Sequence, residues 1–286
     1  MQVLILGCGY LGERVACNWQ AAGHSIHVLT RSEDRKREFD ARGWNAVVGD
    51  VACPETLAGL PTCDVVLHAI GFDRRAAHSK RTVYVDGLDN LLRSPAGESA
   101  RWISISSTSV YGQSAGEWVD EDSPCAPSAE GGRICLEAET LVARWRERAG
   151  RTASVLRLSG IYGPGRLLAR AEQLRSGEPL SGRGDAWLNL IHVDDAARAV
   201  CRVAGMAEPP QTLLVTDDRP LHRTEYYSLL ARLADAPPPR FAGGETETDL
   251  NKRCANRRLR ALPLELEFPT VEAGLPHAWG VPRGEK

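Results

Sequence analysis

Gly7-Cys8-Gly9-Tyr10-Leu11-Gly12 follows the aliphatic run Val3-Leu4-Ile5-Leu6 directly and opens a segment of helical spacing, Tyr10 to Ala22. Each glycine of such a loop has its own task. Gly7 permits a tight turn, Gly9 lets backbone approach a pyrophosphate, and Gly12 lets the helix pack closely on the strand. The helix N-terminus at Tyr10 and Leu11 offers amides and a positive dipole end to the phosphates. The chemistry expected is capture of a dinucleotide; the competing reading is a purely structural glycine turn. At the end of the second strand stand Thr30-Arg31-Ser32, with no carboxylate before Glu33. A carboxylate there would hold a ribose 2′-hydroxyl, whereas Arg31 can fork a 2′-phosphate and Ser32 can add a hydroxyl. NADP is therefore favoured, with NAD as the alternative. Against this, Arg35 and Arg37 show that the following helix simply carries many charges, so Arg31 also reads as a solvated surface residue.

The elements that must position these residues are legible as periodicity. Short aliphatic runs recur at Val3–Leu6, Ile26–Leu29, Ala46–Val48, Val65–Ala69 and Trp102–Ile105. Between several of them lie helical segments, including Arg74 to Leu92. Strand and helix in alternation predict an α/β fold, a Rossmann-type doubly wound parallel sheet. Glu130 to Ala149 reads as a further helix, with Ile134, Ala138, Leu141, Val142 and Trp145 on one face, and Ser154 to Leu158 as a sixth strand. Beyond Gly160 the alternation loosens, and Pro237-Pro238-Pro239 followed by Gly243-Gly244 marks a loop. The expected organisation is a dinucleotide-binding domain over 1–160 and a smaller, dependent substrate-side lobe over 161–286. Residues 189–200 are expected to pack back on the first domain.

Composition narrows the function classes. With 286 residues, 43% hydrophobic and 25% charged, a disordered chain, a coiled coil and a collagen-like chain are excluded. The net charge of −2, without any concentration of Lys and Arg, argues against a nucleic-acid partner. The longest run of apolar residues plus glycine, Val3 to Gly12, falls short of the roughly 18 residues of a bilayer span, so no membrane partner is expected. No positive charge precedes that run, and the expected location is cytoplasmic. The 8 cysteines form no C-x-x-C pair and do not cluster with histidine, so neither a disulfide framework nor a metal site is expected.

Five further blocks carry a resemblance. They are Val47-Val48-Gly49-Asp50-Val51, Val65-Val66-Leu67-His68-Ala69-Ile70-Gly71, Ile105-Ser106-Ser107-Thr108-Ser109-Val110-Tyr111-Gly112, Leu156 to Gly165, and Asn189 to Ala199. With the glycine loop, in this order and spacing, they resemble the atypical extended short-chain dehydrogenase/reductases, related to NAD(P)-dependent nucleotide-sugar epimerases and dehydratases. The resemblance implies that Asp50 and Val51 sit near the adenine and that Ala69, Ile70 and Gly71 line the cofactor cleft. It also implies that Ser107 takes the place of the catalytic serine or threonine. Strand ends face the ligand crevice in such sheets, which suits Ser107; a helix or turn cap is the alternative.

That family also uses a tyrosine and a lysine four residues apart on one helix, the cation lowering the phenol's pKa. Gly131 stands at the tyrosine position and Cys135 at the lysine position. The four lysines, Lys36, Lys80, Lys252 and Lys286, offer no replacement in sequence. Tyr111, Glu130 and Cys135 are the candidate substitute proton donors, Tyr111 being preferred. The function expected is an epimerase/dehydratase-like oxidoreductase acting on a nucleotide-sugar or other small carbonyl compound. A catalytically silent NADP-binding sensor is the alternative, and a nucleotide-cleft methyltransferase is disfavoured by the later blocks. Arg157, His192 and the run Asn251-Lys252-Arg253 are candidates for an anionic substrate, each with an internal scaffold or solvated surface as the plainer reading. Asp194 and Asp195 are expected to cap a helix. By resemblance, a homodimer through the helices Arg74 to Leu92 and Glu130 to Ala149 is expected, with Trp145 as a contact or a core residue.

Overall fold

Side chains buried on both faces leave a strand no polar alternation, and Val3, Leu4, Ile5 and Leu6 are all completely buried. The computed structural model describes residues 1–73, 77–166, 168–243 and 251–280. The start of the expected Arg74 helix, Gly244 and Lys286 lie outside them. Along the chain run β1 (Gln2–Leu6), α1 (Gly12–Ala21), β2 (Ser25–Thr30), α2 (Glu33–Ala41), β3 (Asn45–Val48), β4 (Val65–His68), α3 (Gly87–Arg93) and β5 (Arg101–Ser107). A single π-helical turn, Thr82–Asp86, leads into α3. Then come β6 (Glu117–Val119), α4 (Glu130–Ala149), β7 (Thr152–Leu158), β8 (Gly160–Tyr162), α5 (Leu168–Arg175), β9 (Trp187–Leu188), β10 (Leu190–His192) and α6 (Val193–Ala204). The chain closes with β11 (Thr212–Val215), β12 (Leu221–His222), α7 (Arg223–Leu233), β13 (Lys252–Cys254), α8 (Arg257–Ala261) and α9 (Val271–Trp279).

Seven strands form the main sheet in the order β11-β7-β5-β4-β1-β2-β3, and β3, β2, β1, β4 and β5 pair in parallel. The chain winds outward from β1 to β3, then crosses back to lay β4 on the other side of β1. This reversal is a switch point, where crevices open at the carboxyl ends of strands. Leu6 is in register with both Leu29 and His68, so β1, β2 and β4 end level.

The chain divides into two units. The first comprises Met1–Val110, Glu130–Arg157 and Ala197–Leu213, the second Tyr111–Ala129, Leu158–Ala196 and Leu214–Lys286. The division is thus interleaved, with several crossings of the chain from one unit to the other. In the first unit α4 turns Ile134, Cys135, Glu139, Val142 and Trp145 inward. Trp145 packs on Trp102 with ring centroids 5.8 Å apart, so it is a core residue and not an exposed anchor.

In the second unit Tyr162, Leu180, Leu190, Tyr226, Leu230 and Leu275 belong to a separate core. Asp195 does not simply cap a helix: fully buried, it accepts the backbone N–H groups of Glu267 (2.7 Å) and Phe268 (2.8 Å). The Asn251-Lys252-Arg253 run is no solvated surface either. Lys252 is buried and its amine donates to the Tyr111 carbonyl, while Arg253 stacks between Trp118 and Trp187 at 4.9 and 5.2 Å from the ring centroids. Among the described residues, β13 pairs with the short β6 alone.

Asp217 is buried in this unit, and its Oδ2 has no hydrogen-bond partner among the described residues. Burial, against weaker help from the Arg219 backbone N–H, pushes its carboxyl up to about 8. Between the ordinary aspartate value of about 4 and this one, the folded chain holds a proton that the unfolded chain has lost, so stability falls as pH rises through that window. Asp217→Asn should therefore melt progressively higher than wild type as pH goes from about 5 to about 8, with the gap levelling above that. A constant gap in thermal melts across the range would show that Asp217 is ionised throughout.

Candidate functional site

The glycine loop can be tested position by position. Gly7 has φ +93°, and a Cβ on it would lie 2.6 Å from the backbone of Ile70. A Cβ on Gly12 would lie 2.6 Å from the Gly7 carbonyl oxygen. The fold itself thus requires both glycines. Gly9 is different: nothing lies within 4 Å of the place its Cβ would take. A bare backbone beside open space is what a pyrophosphate needs and what packing does not explain. Helix α1 also begins without any side-chain cap; the Glu13 N–H is bonded to the Gly9 carbonyl, so an anion would meet the amides before it. The residues present therefore fit a dinucleotide.

Around this loop the carboxyl ends of the first unit's strands bring together most of the expected cofactor residues. Ala69 donates its N–H to the Leu6 carbonyl at 2.8 Å, which carries Ala69, Ile70 and Gly71 alongside the loop, with Gly71 also facing open space. Leu11 is buried beneath, and Tyr10 lies under the Arg14 guanidinium at 4.3 Å. Asp50 follows β3; its Oδ1 accepts the Ala52 N–H, and Val51 is buried against Gly87. Arg31 is half exposed, 3.7 Å from Asp73, an ion pair weak enough to exchange. The Ser32 hydroxyl caps α2 by accepting the Arg35 N–H. Arg35 is committed to Glu13 and Glu38.

Ser107 ends β5. Its Oγ accepts the Ser109 N–H at 3.1 Å, which leaves its own hydrogen to donate. Nearby, Cys135 hydrogen-bonds Ser109, but burial outweighs this and the Lys80 charge, pushing the thiol up, so it is no thiolate at neutral pH. Glu130 is exposed at the start of α4, where a helix N-terminus stabilises an anion.

Three expected residues stand elsewhere. Arg157, buried, binds Glu139 of α4 with Nη2 at 2.7 Å, and the same carboxylate accepts the Ser106 hydroxyl at 2.5 Å. In this structure that makes it internal scaffold. His192 and Tyr111 belong to the second unit, and both are fully buried. His192 is enclosed by Phe268, Tyr162 and His277, its Nδ1 accepting the Asp194 N–H. Tyr111 has no exposed surface from which to pass a proton.

One correction concerns the lysines. Lys80 is remote in sequence from Gly131, yet its Nζ lies 2.8 Å from the position of a Cβ on Gly131. A Tyr-x-x-x-Lys spacing does not contain it; its sequence signal is the reversed spacing Lys80-x-x-x-Tyr84.

Comparisons with known proteins give the family and the fold. The model of the NAD dependent epimerase/dehydratase family matches residues 3–215. A solved Methylobacillus flagellatus protein, provisionally described as an NAD-dependent epimerase/dehydratase, is 32% identical with a TM-score of 0.78, covering 98% of this chain and 97% of that one. Protein YeeZ of Escherichia coli K12 is 27% identical over 251 residues, 84% of this chain and 86% of that protein. The Thermus thermophilus UDP-glucose 4-epimerase, solved with NAD, shares the fold at TM-score 0.82 and 19% identity, covering 98% of each chain.

Gly9→Val should weaken dinucleotide binding at least about tenfold and leave the melting temperature near wild type, since the side chain enters open space. Gly7→Val should lower stability itself; equal effects of the two on melting would remove the distinction. Arg157→Met should cost about 3–5 kcal/mol in denaturant unfolding by stranding the buried Glu139 charge. A change below about 1 kcal/mol would show that Glu139 is relieved in another way.

Proposed function

The chain belongs to the NAD-dependent epimerase/dehydratase family, and from that premise we propose that it is an oxidoreductase of epimerase/dehydratase type. Its cofactor is NADP in preference to NAD, and its substrate a nucleotide-sugar or a similar small carbonyl compound. The observation that carries this reading is the glycine loop at the switch point, where Gly9, unlike Gly7 and Gly12, faces open space. A bound nicotinamide supplies or accepts a hydride. The chain's own residues do the rest: Gly7 to Gly12 and the start of α1 bind the pyrophosphate, Asp50 and Val51 flank the adenine, and Ala69 to Gly71 line the cleft. Ser107 donates its hydroxyl to the substrate oxygen where negative charge develops.

The NADP preference rests on Arg31. Its guanidinium is half exposed at the end of β2, weakly paired, and no carboxylate stands at that strand end to prefer a 2′-hydroxyl. The substrate class rests on the shared fold of a UDP-glucose 4-epimerase and on the hydroxyl of Ser107. The second reading, a silent NADP-binding sensor, is favoured by Gly131 and Cys135, which bring neither a phenol nor an amine on α4.

Calorimetric titration should find NADPH bound more tightly than NADH, and Arg31→Ala should erase that margin by weakening NADPH about tenfold with NADH unchanged. Equal affinities would overturn the NADP preference; no binding of either would overturn the functional reading. With cofactor bound, hydride transfer to a nucleotide-sugar or carbonyl panel member that falls about 10²-fold or more in Ser107→Ala favours the enzyme over the sensor.

A further inference from the structure

Resting on the reading that a nicotinamide dinucleotide binds the first unit, we propose that Lys80 is the proton-transfer group of the reaction, its amine seated in the space a side chain at 131 would fill. Gly131 is the second residue of α4, and a Cβ there would stand 2.8 Å from the Lys80 Nζ. The amine holds this place only because residue 131 has no side chain.

Contacts of the same turn fix the seat. Lys80 enters the π-helical turn Thr82–Asp86, a distortion frequent at functional positions. Tyr84, four residues on, turns its ring toward the amine with the centroid 5.2 Å away. Its hydroxyl accepts the Phe72 N–H at 3.1 Å, which ties the turn to the segment just after Ala69-Ile70-Gly71. Arg81 clamps the same turn to α4 through Glu137 at 2.6 Å and closes on Asp86 at 2.9 Å.

Arg81 is thereby neutralised, whereas Lys80 has no carboxylate partner among the described residues. A half-buried ammonium without a counter-charge is poised for an oxygen that becomes negative. The titratable groups beside it are Tyr84 on its own turn and Cys135 on α4, and burial pushes both up, so both are neutral at pH 7.

The step balances. When a carbonyl carbon receives a hydride from reduced nicotinamide, its oxygen becomes an alkoxide. One ammonium N–H bond of Lys80 breaks, the alcohol O–H bond forms, and the amine is left neutral until water returns a proton. The reverse direction begins with the neutral amine taking the hydroxyl proton.

The test needs no substrate. With only four lysines in the chain, reductive ¹³C-methylation gives few NMR resonances, and Lys80→Arg identifies that of Lys80. Calorimetry on the same sample establishes that NADPH and NADP⁺ are bound. The Lys80 resonance should then titrate about one pH unit lower with NADP⁺ than with NADPH, because the oxidised ring's positive charge disfavours a neighbouring ammonium. The Lys36 and Lys252 resonances should not distinguish the two. Gly131→Val, which displaces the amine, should abolish the difference. Bound cofactor with one Lys80 titration in both redox states overturns the proposal and leaves the cofactor reading intact, whereas absence of cofactor binding overturns the reading on which it rests.

Discussion

The close approach of Gly7 to Ile70 governs the candidate site. A backbone with φ +93° and no Cβ allows the loop after β1 to lie directly on the segment leaving β4. A side chain at residue 7 would push these two segments apart, and with them the start of α1. Because Leu6, Leu29 and His68 are level in the sheet, the loops after β1, β2 and β4 all leave from one edge. The open side of Gly9, the uncapped end of α1, Arg31 and Gly71 all lie on that edge, at the switch point.

A second constraint sets where α4 begins. Its middle is held from inside by Glu139, which accepts from Ser106 on β5 and pairs with Arg157 on β7. Such a buried pair adds little net stability, but it specifies one register, since sliding the helix by a residue would leave two charges unpartnered. Trp145 on Trp102 fixes the following turns. With the helix pinned at residues 139 and 145, its first turn has one possible place, and Gly131 and Cys135 face Lys80 and Ser109 there.

The sheet and the loop were legible in sequence because both rest on local rules. Aliphatic runs buried on two faces read as parallel strands, the glycine loop reads from spacing, and Glu130 to Ala149 is helical from end to end. What sequence does not carry is which partner a charge finds. Arg157 resembled a substrate contact until Glu139 met it from eighteen residues away. Lys252 and Arg253 looked solvated because their partners, the Tyr111 carbonyl and two tryptophan rings, come from distant segments. Lys80 is not legible for the same reason: its neighbour Gly131 lies on another helix.

A reaction constrains where an atom must be, not which helix supplies it. A Tyr-x-x-x-Lys pair meets that constraint with two residues of one helix, since positions four apart share a face. A lysine stem of four methylenes reaches far enough to deliver the same charge from a neighbouring element, provided the receiving helix yields the volume. Gly131 yields it. On this view glycine at 131 and lysine at 80 act together: restoring a side chain at 131 evicts the amine, and removing the amine leaves the space beside Gly131 empty. The ammonium sits partly out of water, with no carboxylate partner among the described residues. On the proposed role, the charge that answers it comes from a bound ligand.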